Sequence, residues 1–143
     1  MALFSTMELT NLQDLLVEQL RDLYDAENRL VDSLPKMEEA ASDRQLKDAF
    51  RDHLKETKNH VSRLEAAFKE LGEESKRESC EAMKGLVKEA EQMVEAKGDP
   101  AVKDAALIAA AQRVEHYEMA GYGAARSIAD QLGHHKVAQL LQE

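Results

Sequence analysis

Apolar residues recur every three or four positions through most of this chain, which is the spacing of amphipathic helices. The spacing predicts helices near residues 9–41, 43–71, 76–97 and 100–132. A last segment, HHKVAQLLQE, begins a further helix. Since no alternating β-type run interrupts the pattern, the sequence predicts an all-α protein with a single domain over residues 1–143.

Local signals mark the predicted helix ends. A capping box pairs a Ser or Thr N-cap with Glu or Gln three residues later, and three such pairs occur: Thr10 with Gln13, Ser42 with Gln45, and Ser75 with Glu78. The tripeptide Gly98-Asp99-Pro100 ends one helix and starts the next. Gly72 and Gly133 follow the second and fourth helices. Pro35 either ends the first helix or only kinks it.

Charge and composition restrict the classes of partner. The formal net charge of −9 disfavours nucleic acid and anionic membrane surfaces. The N-terminus, MALFSTMELT, lacks the basic and long apolar regions of a signal peptide, and no apolar run reaches the roughly 18 residues that span a bilayer. We therefore expect a cytoplasmic protein. The single cysteine, Cys80, is predicted to be a small buried hydrophobe rather than a nucleophile.

Carboxylates interrupt the apolar faces of two predicted helices. Glu27 lies in the middle of the first stripe, and Glu115 and Glu118 lie inside the stripe of the fourth helix, Glu118 nearest its centre. Carboxylates are almost never fully buried unless their charge is compensated. The sequence therefore demands a metal cluster, an Arg or Lys partner, or a solvated interior.

The helical hairpin of the first two helices allows a register to be worked out. With its turn at residues 41–42, residues whose numbers sum to about 83 lie level, as Glu27 and Glu56 do. His53 and His60 lie within about one turn of that level. The Glu27 and Glu56 carboxylates are expected within roughly 3–6 Å of each other. Four-helix di-metal carboxylate proteins use this arrangement of Glu and His side chains.

Structural roles are the alternative for these residues. A lone Glu on a core face is often ion-paired, and four arginines are available as partners: Arg21, Arg29, Arg51 and Arg63. The tyrosines Tyr24, Tyr117 and Tyr122 either donate hydrogen bonds to metal ligands or only pack. His134 and His135 mark an exposed helix start, with a surface metal site as the weaker reading.

Four segments together resemble a known family: LRDLYDAENRLVDSLPKM, HLKETKNHVSRLE, DAALIAAAQRVEHYEMAGYG and QLGHHKVAQLLQE. They resemble the YciE/YciF family of bacterial ferritin-like stress-response proteins, closest to its YciF members. The resemblance implies a rubrerythrin-like four-helix bundle with an extra short helix in the crossover. It also implies a homodimer and a dinuclear metal site.

The metal ligands that the resemblance implies are Glu27, His53, Glu56, Glu115 and Glu118. It supports His60 less, because family members carry Gln at this position. Carboxylates with a few imidazoles suit iron best, with manganese or zinc as alternatives. A redox-active centre of this kind reacts with dioxygen or peroxide. The alternatives are a structural stress protein whose metal positions are empty or structural, and, third, a ferritin-style storage cage.

The end of the sequence departs from the family pattern. With a turn at Gly133, level residues sum to about 266, so Glu115 and Glu118 face positions beyond residue 143. The family continues there with a Glu-rich stretch. We therefore expect the fourth bundle helix to be truncated at about ten residues. A longer chain or a neighbouring copy is expected to cover the groove that this leaves.

Overall fold

The structure of this chain is a computed structural model, which describes residues 6–142. Its helices are α1 (Leu12–Ala40), α2 (Arg44–Glu70), α3 (Glu81–Glu95), α4 (Pro100–Gln131) and α5 (His135–Leu140). The described residues contain no strand, so the prediction of an all-α protein is confirmed. Helix α1 continues through Pro35 rather than ending there. None of the helices in residues 6–142 has the length and apolar character needed to cross a membrane.

The ends of most helices follow local signals. Asp99 caps α4 by accepting hydrogen bonds from two backbone amides, with Pro100 in the first turn as predicted. Asn11 and Asp43 cap α1 and α2, so the predicted caps at Thr10 and Ser42 are each one residue early. Gly72, Gly98 and Gly133 have positive φ angles of 67°, 145° and 79°, a backbone conformation that glycine adopts without strain.

The start of α3 is the main error in the predicted boundaries. The helix was expected near residue 76 but begins at Glu81, capped by Cys80. Asp25 of α1 accepts hydrogen bonds from the Cys80 backbone amide (2.8 Å) and from Arg77 Nε (2.9 Å). These contacts hold the residues before Cys80 against α1 in a non-helical conformation. A capping box is a local sequence signal, so it cannot indicate these contacts with a distant part of the chain.

Helices α1 and α2 form the predicted antiparallel hairpin. Arg51 of α2 pairs with Glu38 near the turn, at 2.6 Å. At the other end, the Tyr24 hydroxyl donates to Glu65 at 3.0 Å. The hairpin therefore places the middle of α1 beside the middle of α2, although the residue numbers of each contacting pair sum to 89 rather than to the predicted 83.

Helix α4 runs antiparallel to α1 on another side. Near its start, Asp104 accepts hydrogen bonds from the backbone amides of Ser42 (2.7 Å) and Asp43 (2.9 Å). After its end, His134 contacts Gln13 near the start of α1, at 2.9 Å. Helix α3 packs against α1 and α4, and α5 packs against α4 and α2. Helix α1 is thus surrounded by α2, α3 and α4.

Two apolar clusters fill the interior. The α3-side cluster includes Leu30, Leu34, Phe50, Met83, Leu107 and Val114. The α5-side cluster includes Leu16, Leu20, Leu64, Phe68, Ala125 and Val137. Glu27, residues 53–60 and residues 115–122 lie where the two clusters meet along α1, α2 and α4. A polar layer therefore lies between two apolar halves of the bundle.

Candidate metal centre

Three side chains of the polar layer converge on one point. Glu27 of α1, His60 of α2 and Glu118 of α4 each present a ligand-type atom, and these atoms lie within 4.8 Å of one another. His60 Nδ1 is 3.4 Å from Glu27 Oε1 and 3.8 Å from Glu118 Oε2. Two ligands of one ion, each about 2.1 Å from it, lie at most about 4.2 Å apart. Both separations that involve His60 fall within that limit.

The convergence follows from positions on the helices. Glu27 lies between Leu23 and Leu30 on the buried stripe of α1 and is fully buried. Glu118 lies between Val114 and Ala125 on the corresponding stripe of α4 and is 7% exposed. Helical periodicity alone therefore directs both carboxylates inward, as predicted.

Several polar atoms in this layer lack ordinary partners. Glu27 Oε2, His60 Nδ1 and Glu118 Oε1 are buried and have no hydrogen-bond partner among the described residues. Buried polar groups are nearly always hydrogen-bonded, and an unsatisfied one costs about 1–3 kcal/mol. Three such atoms on converging side chains form a donor set that can bind a metal ion. The donor set of two carboxylates and an imidazole fits iron, manganese or zinc.

The arginines considered as alternative partners for these carboxylates are mostly engaged elsewhere. Three of them pair as follows: Arg21 with Glu73, Arg29 with Asp25 and Arg51 with Glu38. Their carboxylate partners lie outside the polar layer. The ion-paired alternative therefore receives no support from these three residues.

Tyr122 orients one of the buried carboxylates. Its hydroxyl donates a hydrogen bond of 2.8 Å to Glu27 Oε1. Its ring also lies 5.7 Å from that of His60, measured between centroids. Of the two roles predicted for the tyrosines, Tyr122 therefore has the donor role. Tyr24 instead packs on Phe68 and donates to Glu65, away from the polar layer.

The remaining predicted ligands surround the opening to this layer. His53 Nε2 lies 3.8 Å from Glu118 Oε1. Glu56 and Glu115 are exposed. All three line one cavity of about 410 Å³ together with His60 and Glu118. The structure thus brings the five predicted ligands to one region but buries only Glu27 and Glu118 fully.

Burial and mutual contact shift the ionisation of the four innermost groups. Burial raises the pKa of Glu27 to about 7; the nearby Glu118 adds to the rise and His60 opposes it. Burial acts on Glu118 too, but His53 and His60 lower its pKa to about 2. The same contacts raise the pKa of His60 to about 9 and also raise that of His53. Imidazolium protons therefore supply the positive charge that bound metal ions would supply.

His60 and Tyr122 are the residues that sequence reasoning undervalued. The prediction put His60 within one turn of Glu27, but the resemblance favoured His53 and Glu56 over it. Glu56 lies toward the edge of its helical stripe, which explains its exposure. The contact between Tyr122 and Glu27 depends on how closely α4 approaches α1, which the pattern of one helix does not contain.

The sequence matches a known protein family over most of its length. Residues 11–143 match the family described as "Domain of unknown function (DUF892)". The chain belongs to this family. It is 42% identical to Protein YciF of Escherichia coli (strain K12) over 138 residues, which cover 96% of this chain and 83% of YciF. The predicted resemblance to the YciE/YciF family, and to its YciF members, is thereby confirmed.

Solved structures of relatives have the same fold. The crystal structure of the E. coli stress protein YciF matches with a TM-score of 0.90 and 41% identity, covering 94% of this chain and 85% of that one. YcfI from Rhodopseudomonas palustris, named as a candidate structural protein, matches with a TM-score of 0.92 and 40% identity. That match covers 96% of this chain and 88% of YcfI. The predicted ferritin-like bundle, with α3 as the extra helix in its crossover, is confirmed.

Proposed function

We propose that this chain is a di-metal carboxylate protein, with iron as its metal, that reacts with dioxygen or peroxide in the bacterial stress response. The observation that carries the proposal is the convergence of Glu27, His60 and Glu118, whose buried ligand atoms have no hydrogen-bond partners among the described residues. The relationship to a protein named as a stress protein supports the physiological context. We place the protein in the bacterial cytoplasm.

The residues divide into an inner and an outer set. Glu27, His60 and Glu118 would hold the first ion. His53, Glu56 and Glu115 would supply ligands to a second ion from the cavity side. Two of these outer ligands are exposed, so the second position is the weaker one and exchanges metal more readily. Manganese or zinc can replace iron in such a donor set.

The residues around the centre orient its ligands and carry the protons that metal binding displaces. A bound pair of iron ions would supply electrons for reducing dioxygen or peroxide. Tyr122 fixes the orientation of Glu27 through its hydrogen bond. The neighbouring carboxylates raise the pKa of both His53 and His60, which favours their protonated forms, and each imidazole must release a proton to become a ligand. The 410 Å³ cavity gives a small oxidant a path to Glu118.

A structural, non-catalytic protein is the second candidate. YcfI, a relative with 40% identity, is named as a candidate structural protein. The exposure of Glu56 and Glu115 is also the ordinary state of surface carboxylates that bind nothing. In that case, the polar layer is retained for the specificity of helix packing.

Ferrous ion added anaerobically to metal-free protein, followed by stopped-flow mixing with dioxygen or peroxide, separates the two candidates. We expect iron to bind and to be oxidised faster than in buffer. Glu27→Gln and Glu118→Gln should abolish both effects, because each removes an inner ligand. Glu39→Gln is the matched control, since Glu39 is an exposed carboxylate on α1 and should leave both unchanged. Equal iron binding and oxidation in all four proteins would favour the structural candidate.

A further inference from the structure

A second polar cluster lies on the other side of α4, between α1 and α3. The Tyr117 hydroxyl donates a 2.5 Å hydrogen bond to Asp22 Oδ2. The Cys80 Sγ lies 3.1 Å from the same hydroxyl oxygen. Because the phenol has one proton and gives it to Asp22, the thiol is the donor in the second contact. Tyr117 thus has a proton acceptor on one side and a sulfur on the other.

The residue types in this cluster are scarce in the chain. The sequence has no tryptophan, one cysteine and three tyrosines. Tyrosine, tryptophan and cysteine are the side chains most readily oxidised by one electron. Two of the four such residues in the sequence therefore contact each other here. Nothing in the proposed metal site uses either of them.

The cluster is close to the candidate metal centre along the chain. Tyr117 directly precedes Glu118, and consecutive Cα atoms are about 3.8 Å apart. A single peptide unit therefore joins the Cα atoms of the phenol-bearing residue and a predicted metal ligand. The two side chains leave α4 about 100° apart. Tyr117 points toward α1 and α3, whereas Glu118 points toward α1 and α2.

We propose that Tyr117 supplies one of the two electrons that reduce hydrogen peroxide at the metal centre, where bound ferrous iron would supply the other, while Asp22 accepts the phenolic proton. This inference rests on the proposed function. The O–H bond of Tyr117 breaks, its proton moves to the Asp22 carboxylate, and its electron together with the one from ferrous iron cleaves the O–O bond of hydrogen peroxide to give two hydroxide ions. The products are a neutral tyrosyl radical and a carboxylic acid at Asp22. Cys80 holds the phenol oxygen in position through its S–H hydrogen bond.

The structure favours Tyr117 over Tyr122 for this role. The phenol of Tyr122 donates to Glu27, so oxidation would place a proton on a predicted metal ligand. The proton of Tyr117 goes to Asp22, which is not among the predicted ligands. Tyr117 and Asp22 also line a surface crevice of about 290 Å³, through which the proton can reach solvent. Electron transfer from Tyr117 therefore leaves the metal ligands unprotonated.

Freeze-quench electron paramagnetic resonance tests this assignment. Iron-loaded protein of known metal content is mixed with hydrogen peroxide, frozen within seconds and examined for a tyrosyl radical, which ring-deuterated tyrosine identifies. We expect a tyrosyl signal per bound iron in the wild type that is lost in Tyr117→Phe and retained in Tyr24→Phe, whose ring lies away from the polar layer. Asp22→Asn keeps the phenol but lacks the proton acceptor, so its signal should be smaller and form more slowly.

Iron oxidation in the same samples separates the two proposals. The metal site should still bind and oxidise iron in Tyr117→Phe, since that phenol is not a ligand. A tyrosyl signal that persists in Tyr117→Phe would overturn the role of Tyr117. Iron oxidation in the wild type without any tyrosyl signal would overturn it as well. If wild-type protein does not oxidise iron, the proposed function fails first, and this inference fails with it.

Discussion

Glu27 is the side chain whose environment departs furthest from the usual one for its type. It is a fully buried carboxyl group between two apolar clusters, and a second carboxylate, Glu118, lies beside it. An ionised carboxylate in such surroundings needs positive charge close by. In the metal-free protein, His60 supplies it, 3.4 Å away. Bound metal ions would balance the carboxylate charge in place of the protonated imidazole. Because the proton must leave first, metal affinity should increase with pH.

This environment predicts a pH dependence for the stability of the metal-free protein. The folded-state pKa of Glu27 is raised to about 7, above its ordinary value of 4.5. A group whose pKa is higher in the folded than in the unfolded protein stabilises the fold at pH values below its unfolded-state pKa. That stabilisation is lost as the pH rises through the folded-state pKa. The pKa of His60 is raised to about 9, so the folded protein loses further stability as the pH rises above the ordinary histidine value of 6.5. The melting temperature in chelator should therefore fall from pH 5.5 to pH 8.

Glu27→Gln isolates the contribution of this carboxyl group. Glutamine cannot ionise, so the melting temperature of the variant should fall less than that of the wild type between pH 5.5 and pH 8. Each 1 kcal/mol corresponds to about 4 °C for a chain of this size. Thermal melts followed by circular dichroism measure the difference, with Glu39→Gln expected to behave as the wild type. Equal losses in the wild type and Glu27→Gln would show that Glu27 does not titrate in this range.

Position within a helical stripe determined how well single residues were predicted. Glu27 and Glu118 lie near the centres of their stripes, and both are buried as expected. Glu115 was placed inside the stripe of α4 but is exposed, because it lies toward the flank facing the open cavity. Cys80 is buried as predicted, but it also caps α3 and contacts Tyr117, which requires knowledge of tertiary contacts.

At the scale of the helices, close approach of α4 to α1 sets the geometry of the site. Gly121 of α4 faces Leu23 of α1, and a Cβ atom at Gly121 would lie 2.8 Å from Leu23 Cδ2. Such a contact forces one of the two helices or the Leu23 side chain to move. The helices concerned carry Glu27 and Glu118, so this glycine allows the separation at which both contact His60.

Gly121→Ala should therefore lower the free energy of unfolding by roughly 1–3 kcal/mol, the usual cost of overpacking a core. It should also weaken metal binding to the extent that α1 and α4 move apart rather than the Leu23 side chain alone. Gly123→Ala is the matched control two residues further along α4. A Cβ atom there meets nothing within 4 Å, so the change should stabilise the helix by roughly 0.5–1 kcal/mol. Urea unfolding of both variants measures the contrast, and equal effects would contradict the close approach.

Local signals predicted the helices well where the chain itself provides the hydrogen-bonding groups. Asp99 and Pro100 start α4 in the predicted place, since the cap and the fixed φ angle lie within two residues. The start of α3 was missed by about five residues because Asp25, more than fifty positions away, binds the Cys80 amide. Sequence patterns near one residue cannot contain such distant partners.

For the whole molecule, the arrangement of helices follows from hairpin arithmetic. The register placed Glu27 level with Glu56, whereas the contact that Glu27 makes across the hairpin is with His60, about one turn further along α2. The same reasoning could not place α3, whose position depends on the crossover. Helices α2 and α4 leave the 410 Å³ cavity between them, partly bordered by Leu141 after α5.

We propose that a second copy of the chain packs on this side in a two-fold dimer. Ile108 and Met119 are 47% and 69% exposed on the flank of α4 that also carries Glu115. Exposed apolar groups next to an open cavity are typical of an interface, and two-fold dimers are the commonest assembly. Sedimentation velocity at micromolar concentration should show a dimer for the wild type. Met119→Glu should shift it toward monomer, whereas Val102→Glu should not, because Val102 is exposed near the start of α4 and lies about 100° around the helix from Met119.

Equal sedimentation of the wild type and Met119→Glu as dimers would place the interface elsewhere. A wild-type monomer at micromolar concentration would contradict the dimer itself. Neither result bears on the inner metal ligands, which come from a single copy of the chain.

The most direct test of the central claim is anomalous diffraction from crystals of the iron-loaded protein, with data collected on both sides of the iron absorption edge. The anomalous difference map should show a peak within bonding distance of Glu27, His60 and Glu118. A second, weaker peak should lie toward His53, Glu56 and Glu115. Crystals of Glu27→Gln grown in the same way should lack the first peak. An iron-loaded crystal with no peak between Glu27, His60 and Glu118 would contradict the assignment of the metal centre.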